Sequence, residues 1–428
     1  PGKMVNAFNP AATEGLDAAT QAAVARRARL LGPAYRLFYR HPVAVCRGEG
    51  TRLFDAEGRE YLDAYNNVAS VGHANPRVVE AVARQMGTLC THTRYIQDGI
   101  LDYAEQMLPT FGGRIAANGH MMFTCTGSEA NDLAMRIARH RTGRNGIIVT
   151  AEAYHGNSHL TAGFSPSLGD ASPLGTWVRR VPAPDSYRMD PDTLGQKMAE
   201  AVAEQAWELK RHGDGLAAFI ADSLFSSDGI FATPGVLKPV AEAVHAAGGL
   251  FVADEVQSGF ARSGDRFWGF QRHGIDPDIV TMGKPMGNGH PLGATVMGAE
   301  LLEAFGAENM FFNTFAGNPV SSAAGHAVLK VMADEQLMPR AAANGALLKR
   351  ELSEVVAGNA RIDEVRGDGL FAGMRFTDPE TGEADPATAK RVVEAMYRDG
   401  VLISRIGRND EVLKIRPPLA FQASDAEI

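Results

Sequence analysis

An α/β fold with a mostly parallel sheet, accompanied by a smaller α+β domain, is the fold class that this sequence predicts. The first observation is that short apolar segments alternate with helical segments from about residue 75 onward. Such alternation is typical of a parallel sheet that is covered by helices on both faces. The second observation is that about the last hundred residues change to single strands separated by helices. This change predicts a division into a large and a small domain.

The N-terminal segment, residues 1–70, is expected to form part of the small domain. Its first 40 residues are expected to be helical and to lie on the surface, because they include the alanine-rich stretch "AATQAAVARRARLL". The later stretch "AVCRGEGTRLFDAEGREYLDAY" alternates polar and apolar residues around glycines. This pattern predicts short antiparallel strands joined by hairpins.

The large domain is expected to span residues 71–325. It begins with a helix, "PRVVEAVARQM", and a short strand, "HMMFTCTG", that leads into a glycine turn. An amphipathic helix, "SEANDLAMRIARHRTG", follows, with Leu133, Ala134, Ile137 and Ala138 on one face. The next elements are "GIIVTAEAYHG" as a strand and loop, "LAAFIADS" as a strand, "GVLKPVAEAVHAAGG" as a helix, and "LFVADE" and "DIVTMGK" as strands.

The C-terminal part of the small domain is expected to span residues 326–428. Its predicted elements are a helix "AAANGALLKRELSEVV", a strand "DEVRGDGLFAGMRF", a helix "PATAKRVVEAMYRDGV" and a strand "VLKIRPPLAF". This order lacks the regular strand–helix alternation of the large domain, and it predicts an α+β arrangement.

Composition places the chain among ordinary globular proteins. It has 428 residues, of which 45% are hydrophobic and 21% are charged, so it can bury a sizeable core. The formal net charge of -8 argues against broad nucleic-acid binding. Cys46, Cys90 and Cys125 are far apart, which argues against a disulfide framework and against a metal cluster. With no apolar run long enough for a membrane span and no signal peptide, the chain is expected to be cytoplasmic.

The stretch "TGSEAN" follows the first predicted strand of the large domain and begins a helix. Gly127 permits close approach of the backbone, Ser128 offers a hydroxyl, and the helix start offers free N–H groups. This arrangement is typical of a phosphate-binding site. A glycine and a serine at a helix start are also an ordinary helix cap, so the stretch alone leaves both interpretations open.

Acidic residues and a lysine lie at the ends of later strands. Asp222 and Asp254 each end an apolar strand, and Lys284 directly follows "DIVTMG". Because ligands of parallel sheets bind outside the carboxyl ends of the strands, these side chains are expected to meet. One interpretation is a buried ion pair between Asp254 and Lys284. The other is that Asp254 balances a cationic heterocycle while Lys284 forms an imine with a carbonyl group.

A phosphate-binding site, a carboxylate for a ring nitrogen and an imine-forming lysine together describe a pyridoxal 5'-phosphate site. The sequence resembles the class III aminotransferases, pyridoxal phosphate enzymes of fold type I whose large domain contains a mostly parallel seven-stranded sheet. The resemblance covers nearly the whole chain. It is carried by "GSEAN" at 127–131, "AYHG" at 153–156, "DEVQSGFARSG" at 254–264, "DIVTMGKPMGNGHPLGA" at 278–294 and "FNTFAGNPVSSAA" at 312–324.

The resemblance implies roles around the cofactor ring. Lys284 matches the imine-forming lysine, and Asp254 matches the partner of the pyridine nitrogen. Gln257 matches a residue near the ring hydroxyl, and Tyr154 matches an aromatic residue that stacks on the ring. His155, the residue after that tyrosine, is expected to lie near the cofactor.

The resemblance also implies contacts to the cofactor phosphate. Gly127 and Ser128 match the phosphate-binding site of the same chain. Thr314 matches a threonine that reaches the phosphate of the neighbouring subunit's cofactor. The resemblance therefore implies a homodimer with shared active sites.

Two departures from the family pattern bear on the reaction. Many members carry the motif "EP…GEAG", with two glutamates, after the central strand. The second glutamate pairs with an arginine near the C-terminus, and this pair opens and closes to admit two different substrates. Here Asp222 replaces the first glutamate of that motif, and Ser227 stands at the position of the pairing glutamate. Lys414 stands at the position of the pairing arginine, with Arg416 two residues later. The carboxylate gate is therefore expected to be missing, while positive charge remains.

The chain resembles most closely the amino-phosphate phospho-lyases, which act on O-phosphoethanolamine or 5-phosphohydroxylysine. The stretches "YNNVASVGHANP" at 65–76, "TRYIQDGILDYAEQ" at 93–106 and "KIRPPLAF" at 414–421 carry this closer resemblance. It implies a phospho-lyase that releases phosphate and ammonia from an amino-alkyl phosphate. The alternative is an ω-aminotransferase that acts on an amine or amino acid and a keto acid. A non-catalytic role is disfavoured because the lysine, the aspartate and the phosphate-binding site are all present.

A departing phosphate requires cations around it. Arg94, Lys414 and Arg416 are the candidate phosphate-binding residues, and a surface or interface salt bridge is the alternative for each. Asn66, Asn67 and Tyr95 are expected at the mouth of the substrate site, although the two asparagines could also serve only in a turn.

Overall fold

The structure is a computed structural model, and it describes residues 5–428 of the chain. Its helices are α1 (Ala18–Leu31), α2 (Pro76–Met86), α3 (Asp98–Met107), α4 (Gly113–Asn118), α5 (Gly127–Thr142), α6 (His159–Ala162), α7 (Pro191–Arg211), α8 (Leu237–Ala246), α9 (Ala299–Glu308), α10 (Pro319–Asp334), α11 (Leu337–Val356), α12 (Pro386–Arg398) and α13 (Ala423–Ala426). Its strands are β1 (Val45–Glu49), β2 (Arg52–Asp55), β3 (Glu60–Asp63), β4 (Gly119–Thr124), β5 (Gly146–Thr150), β6 (Val178–Val181), β7 (Leu216–Asp222), β8 (Leu250–Asp254), β9 (Ile279–Met282), β10 (Gly293–Gly298), β11 (Ile362–Asp368), β12 (Phe371–Phe376), β13 (Val401–Leu402), β14 (Ser404–Ile406) and β15 (Val412–Ile415).

A seven-stranded sheet with the order β4-β10-β9-β8-β7-β5-β6 forms the framework of the large domain. Strands β9, β8, β7, β5 and β6 pair in parallel. Strand β10 pairs antiparallel with both β4 and β9, so it is the one reversed strand of the seven. The predicted α/β class with a mostly parallel seven-stranded sheet is confirmed.

The central strands β7 and β8 are apolar up to their last residue, an aspartate, because helices cover both faces of the sheet. Successive side chains of a strand point to opposite faces. In β7, Ala218 and Ile220 pack in one hydrophobic cluster with side chains of α5. Phe219 and Ala221 pack in a second cluster with side chains of α7 and α8. Full burial of β7 therefore requires both helical layers.

The described chain also contains two four-stranded sheets, with the orders β1-β2-β3-β13 and β11-β12-β15-β14. Val401 of β13 pairs with Leu62 of β3 in parallel, so the N-terminal hairpins join the C-terminal part of the chain. This pairing is compatible with an N-terminal segment that belongs to the small domain. The domain boundaries at residues 70 and 325 remain a proposal, and residues 1–4 lie outside the described part.

Local signals in the sequence explain where several helices begin and end. Helix α2 has the bounds that were predicted: the side chain of Asn75 caps it, Pro76 opens it and Gly87 follows its last residue. The helical prediction for the first 40 residues was too broad, because within the described part of that segment only α1 is helical. No residue of α1 is buried, which agrees with the expected surface position.

The segment that was predicted as one strand near residue 370 is a hairpin of β11 and β12. Gly369, which lies between them, has φ +57°, in the left-handed region that glycine adopts without strain. The sequence interpretation did not identify strands β6 and β10 or helices α3, α7, α9 and α10.

Among residues 5–428, no helix combines the length and the apolar character that a membrane crossing requires.

Candidate functional site

A cavity of about 290 Å³ lies where the parallel strands end. Segments that follow β4, β5, β7, β8 and β9 all contribute to its wall. The predicted residues that line it are Gly127, Ser128, Tyr154, His155, Asp222, Asp254, Gln257 and Lys284. The structure thus brings together residues that are far apart in the chain, at the edge of the sheet where a ligand was expected.

Asp254, the last residue of β8, is buried in the wall of this cavity, with 4% of its surface exposed. Its Oδ2 atom lies 2.7 Å from Nδ1 of His155 and accepts a hydrogen bond of 3.0 Å from the Asn131 side chain. Its Oδ1 atom accepts a hydrogen bond from the backbone N–H of Val256. These donors stabilise a charged carboxylate that faces the cavity, as a cationic ring nitrogen requires.

The contact between His155 and Asp254 leaves the other ring nitrogen of the histidine free. The Nε2 atom of His155 is buried and has no hydrogen-bond partner within residues 5–428. The backbone of His155 is held by its N–H, which donates to Ser165 Oγ, and by its carbonyl, which accepts from Asn131. The imidazole is therefore held firmly behind the carboxylate.

Lys284 begins a short 3₁₀ turn, Lys284–Gly287, directly after β9. Burial, together with the positive charge of Arg416, lowers the pKa of Lys284 to about 8. Asp254 and Asp222 oppose this shift, but their effect is smaller. An appreciable minority of the lysine is therefore neutral near physiological pH, and a neutral amine is the form that attacks a carbonyl group.

The phosphate-binding prediction falls on the first turn of α5. Thr126 caps this helix by accepting from the backbone N–H of Glu129, while the N–H groups of Gly127 and Ser128 begin the turn and have no intrahelical acceptor. A Cβ atom on Gly127 would lie 2.8 Å from Cγ2 of Val256. Only glycine therefore fits here without displacement of Val256, and the helix start is open to an anion.

Gln257 connects the cavity to two buried cations of the C-terminal segment. Its Oε1 atom accepts a hydrogen bond of 3.2 Å from Lys414 Nζ and a second one from Arg416 Nη1. Arg416 also donates to the carbonyl oxygen of Tyr65 at 3.2 Å. Within the described chain, neither cation lies within ion-pair distance of a carboxylate.

The surroundings of Lys414 match the expected loss of a carboxylate gate. Its Nζ atom lies 3.4 Å from the carbonyl oxygen of Ser226, so it is next to Ser227, which replaces the pairing glutamate. Burial and the charges of Arg416 and Lys284 lower the pKa of Lys414 well below its ordinary value. An anion bound nearby would reverse this effect and favour the charged form.

Asp222 and Tyr154 also line the cavity. Asp222 accepts hydrogen bonds from the backbone N–H groups of Leu224 and Ser226 and from the Ser226 hydroxyl, so it holds the turn after β7. Burial and the charge of Asp254 raise the pKa of the Tyr154 phenol, which therefore stays protonated.

The structure does not bring four of the predicted residues to the cavity of their own chain. The side chain of Asn66 accepts from the backbone N–H of Val68, as in a simple turn. Arg94 lies over the ring of Phe312, with 3.8 Å between the guanidinium carbon and the ring centroid. Tyr95 and Thr314 are exposed.

Of two asparagines near the site, sequence reasoning missed Asn131, whereas Asn67 was expected with Asn66 at the substrate mouth or in a turn. Asn131 donates to Asp254 and accepts from the hydroxyl of Thr281, and its position one turn after Gly127 in "GSEAN" could have indicated it. Asn67 is 1% exposed, and neither polar atom of its amide has a partner within residues 5–428. Its neighbour Val68 lines the cavity.

These features fit pyridoxal 5'-phosphate. Unpaired N–H groups at the start of α5 suit the phosphate, the buried Asp254 carboxylate suits a protonated ring nitrogen, and the Lys284 amine suits the aldehyde. The comparisons with known proteins agree. A family model described as "Aminotransferase class-III" matches residues 38–428.

Three similar proteins span nearly the whole chain. A Drosophila melanogaster protein named "Alanine--glyoxylate aminotransferase 2-like" is 40% identical over 414 residues, 93% of this chain and 83% of its own. A Caenorhabditis elegans protein named "Ethanolamine-phosphate phospho-lyase homolog 1" is 36% identical over 422 residues, 94% of this chain and 90% of its own. A solved phospholyase from Arthrobacter, in complex with phosphoethanolamine, is 45% identical with a TM-score of 0.91, covering 95% of this chain and 96% of that one.

The solved neighbours confirm the predicted fold type I, and the family match confirms the predicted cofactor. The chain belongs to the class III aminotransferase family, whose members use pyridoxal 5'-phosphate.

Proposed function

We propose that this enzyme is a phospho-lyase that eliminates phosphate and ammonia from an amino-alkyl phosphate such as O-phosphoethanolamine. One observation carries the proposal: Lys414 and Arg416 are buried beside the cofactor cavity, and both bind the same oxygen of Gln257. The product of the reaction is the corresponding aldehyde.

Asp222 favours the charged forms of Lys414 and Arg416 but forms no ion pair with either. Two adjacent buried cations without an ion-pair partner are unfavourable unless an anion joins them. A transaminase with the usual gate would balance such a cation with a glutamate, but Ser227 stands at that position here. A phosphate dianion would balance Lys414 and Arg416 together and accept hydrogen bonds from both. The buried amide of Asn67, which has no partner within the described chain, is available for a further contact to the substrate.

The proposed roles around the reacting carbon follow from the site. When bound, pyridoxal phosphate supplies an electron-withdrawing ring that stabilises negative charge on the carbon bearing the substrate amine. Asp254 would balance the positive charge of the ring nitrogen, and Gly127 and Ser128 would hold the cofactor phosphate. Lys284, whose amine would hold the cofactor aldehyde in the resting enzyme, would act as the base for the proton on that carbon.

The elimination balances without an external oxidant or amino acceptor. The C–H bond breaks with its proton moving to Nζ of Lys284, a C=C bond forms, and the C–O bond to phosphate breaks. Phosphate takes the bonding electron pair, and Lys414 and Arg416 stabilise the leaving dianion. Addition of one water then gives the aldehyde and ammonia, so each substrate requires only one water molecule.

The names of the similar proteins include both candidate functions, phospho-lyase and aminotransferase. The Arthrobacter structure and the C. elegans relative carry phospho-lyase names, and the Drosophila relative carries an aminotransferase name. The alternative is therefore an ω-aminotransferase. The replacement of the gate by Ser227 and Lys414 favours the phospho-lyase, because a keto acid would have no switchable partner for its carboxylate.

We also propose that the active enzyme is a homodimer with shared active sites. Large apolar side chains are exposed in two neighbouring segments, including Ile96 at 95%, Met310 at 84% and Phe315 at 72%. The ring of His92 contacts Phe312 with a centroid distance of 5.9 Å, which joins these segments into one surface. Arg94 and Thr314 belong to the same surface, so a partner subunit is the target that we assign to them.

A cytoplasmic location remains part of this proposal, and the three free cysteines are compatible with a reducing compartment.

The decisive assay incubates the holoenzyme with O-phosphoethanolamine, with and without pyruvate, and measures inorganic phosphate and alanine separately. A phospho-lyase releases phosphate at the same rate in both samples and forms no alanine. Pyruvate-dependent alanine without phosphate release would instead establish the aminotransferase.

A further inference from the structure

We infer that Arg262 is a positioning residue that holds Arg416 in place for the substrate phosphate. This inference rests on the proposed function, and it concerns a residue that does not line the cofactor cavity. Arg262 lies in the segment after β8 and is 2% exposed. Its Nη1 atom donates to the carbonyl oxygens of Leu370 at 2.9 Å and Pro417 at 2.5 Å.

The contact to Pro417 places the guanidinium one residue from Arg416. The backbone N–H of Arg416 donates to the carbonyl of Ala64 at 2.7 Å, and its side chain donates to Tyr65 and Gln257. Arg262 holds the same peptide segment from the other side, through its hydrogen bond to the carbonyl oxygen of Pro417. The Arg416 backbone is thus held from the N-terminal loop and from the large domain at once.

The contact to Leu370 connects the same guanidinium to the β11–β12 hairpin. The carbonyl of Arg262 accepts from the N–H of Leu370 at 3.1 Å, so the two residues bind each other in both directions. A Cβ atom on Gly369 would lie 2.5 Å from the Arg262 carbonyl oxygen, so the hairpin turn approaches this backbone as closely as glycine permits. The position of Arg262 is therefore defined by packing as well as by hydrogen bonds.

Electrostatics distinguish this residue from an ordinary structural arginine. Within residues 5–428 no carboxylate pairs with Arg262, and the hydrogen-bond acceptors of its side chain there are backbone carbonyls. Burial and the charge of Arg416 lower the pKa of Arg262 to about 9. Two buried guanidinium groups that repel each other gain most from an anion that binds next to Arg416. The fold maintains this repulsion at the place where the substrate phosphate is proposed to bind.

The test compares Arg262→Lys and Arg262→Gln with the wild-type holoenzyme. Lysine keeps the charge but cannot hold both carbonyls in the planar geometry of arginine. We expect Arg262→Lys to raise KM for O-phosphoethanolamine about tenfold and to change kcat by less than about twofold. Arg262→Gln, which also removes the charge, should raise KM further. An unchanged KM in both variants, or a loss of kcat at unchanged KM, overturns the inference.

Arg144→Lys is the matched control. Arg144 also binds backbone carbonyls, those of Leu216 and Ala247, but it lies at the opposite ends of the strands. A general loss of packing would lower the melting temperature of both lysine variants, whereas only Arg262→Lys should raise KM. An equal rise in KM for Arg144→Lys would show that the effect is not specific to Arg262, and it would also overturn the inference.

A binding measurement separates this inference from the proposed function. Inorganic phosphate should raise the melting temperature of the wild-type holoenzyme, in which the cofactor already occupies the start of α5. Arg262→Lys should require about tenfold more phosphate for the same shift. If the wild type releases no phosphate from O-phosphoethanolamine but shows this difference, the proposed function fails and the role of Arg262 stands. If phosphate stabilises both proteins equally, or neither, the role of Arg262 fails.

Discussion

At the scale of single residues, the charge of Arg416 is expected to control the protonation of Lys284. A protonated lysine cannot attack the cofactor, and the neutral fraction rises as the pH passes the lysine pKa of about 8. Burial lowers the pKa of Lys284 most and remains in Arg416→Met, but the substitution removes a positive charge that disfavours protonation, so the pKa should rise toward its ordinary value. The pH dependence of the rate at which apoenzyme gains its visible absorbance with added pyridoxal phosphate measures this pKa.

The control for that experiment is Arg350→Met, which removes an exposed arginine of α11. It should leave the midpoint of the pH profile unchanged, because solvent screens exposed charges. If the pH midpoint for Arg416→Met is equal to or below the wild-type midpoint, the result would contradict the assigned coupling between Arg416 and Lys284.

Individual residues of the candidate site were predictable where the chain order alone indicates a strand end. Asp254 and Lys284 follow apolar runs directly, so their convergence follows from the parallel sheet. The contacts of Arg262 were not predictable, because its partners are backbone carbonyls more than a hundred residues away and carbonyls have no sequence signature. Asn66, a predicted substrate residue, proved to cap a local turn, while its neighbour Asn67 has the unpaired amide.

At the scale of elements, the start of α5 is expected to determine cofactor affinity. Gly127→Ala would place a methyl group 2.8 Å from Val256 and push the first turn away from the cofactor phosphate. We expect about a tenfold weaker affinity for pyridoxal phosphate, measured by titration of the apoenzyme. Gly306→Ala, in a helix position where an added Cβ meets no atom within 4 Å, should bind the cofactor normally. Equal affinities for the two variants would count against the assigned phosphate site.

Glu255 stabilises the segment that follows β8 and should tolerate glutamine poorly. One carboxylate oxygen accepts from the N–H of Phe270 and the other from the N–H of Gly269, and two serine hydroxyls complete the set. An amide nitrogen at either position would leave one backbone N–H unpaired. We expect Glu255→Gln to cost about 1–3 kcal/mol, seen as a lower melting temperature.

The exposed Glu354 provides the comparison for this substitution, since Glu354→Gln should leave the melting temperature unchanged. A fully stable Glu255→Gln protein would mean that these N–H groups find other acceptors.

The sequence predicts elements best where their signals are local. The cap, proline and glycine around α2 define both of its ends. The β11–β12 hairpin was taken for one strand although β11 is largely charged, β12 is largely apolar, and Gly367 and Gly369 both have positive φ near the turn. Strand β10 is short, with a glycine at each end, and its reversed direction depends on pairing with β4 and β9, which no local pattern encodes.

At the scale of the whole molecule, the proposed shared active site predicts complementation between two defective chains. We propose to mix Lys284→Ala and Thr314→Ala subunits, dissociate them and allow them to reassociate. Each mixed dimer should contain one site with both native residues, so about a quarter of all sites should be intact. Phosphate release at limiting cofactor, where Thr314→Ala alone binds poorly, measures this recovery. Activity equal to the mean of the two parent dimers would contradict a shared site.

The proposed partner contacts would explain why part of the predicted site stays apart in the single chain. Arg94, Tyr95 and Thr314 lie on an exposed surface away from the cavity that Lys284 lines. Sequence similarity could indicate these positions. In the proposed dimer they would reach the cofactor cavity of the second copy, which a single chain does not contain.

The most direct test of the central claim is the number of phosphate ions released per enzyme subunit from O-phosphoethanolamine when no keto acid is present. A site in which Lys414 and Arg416 bind a departing phosphate, and in which the cofactor is restored after each elimination, predicts continuous release of many equivalents. Release that stops at or below one equivalent per subunit, with loss of the visible absorbance of the resting enzyme, would contradict this account.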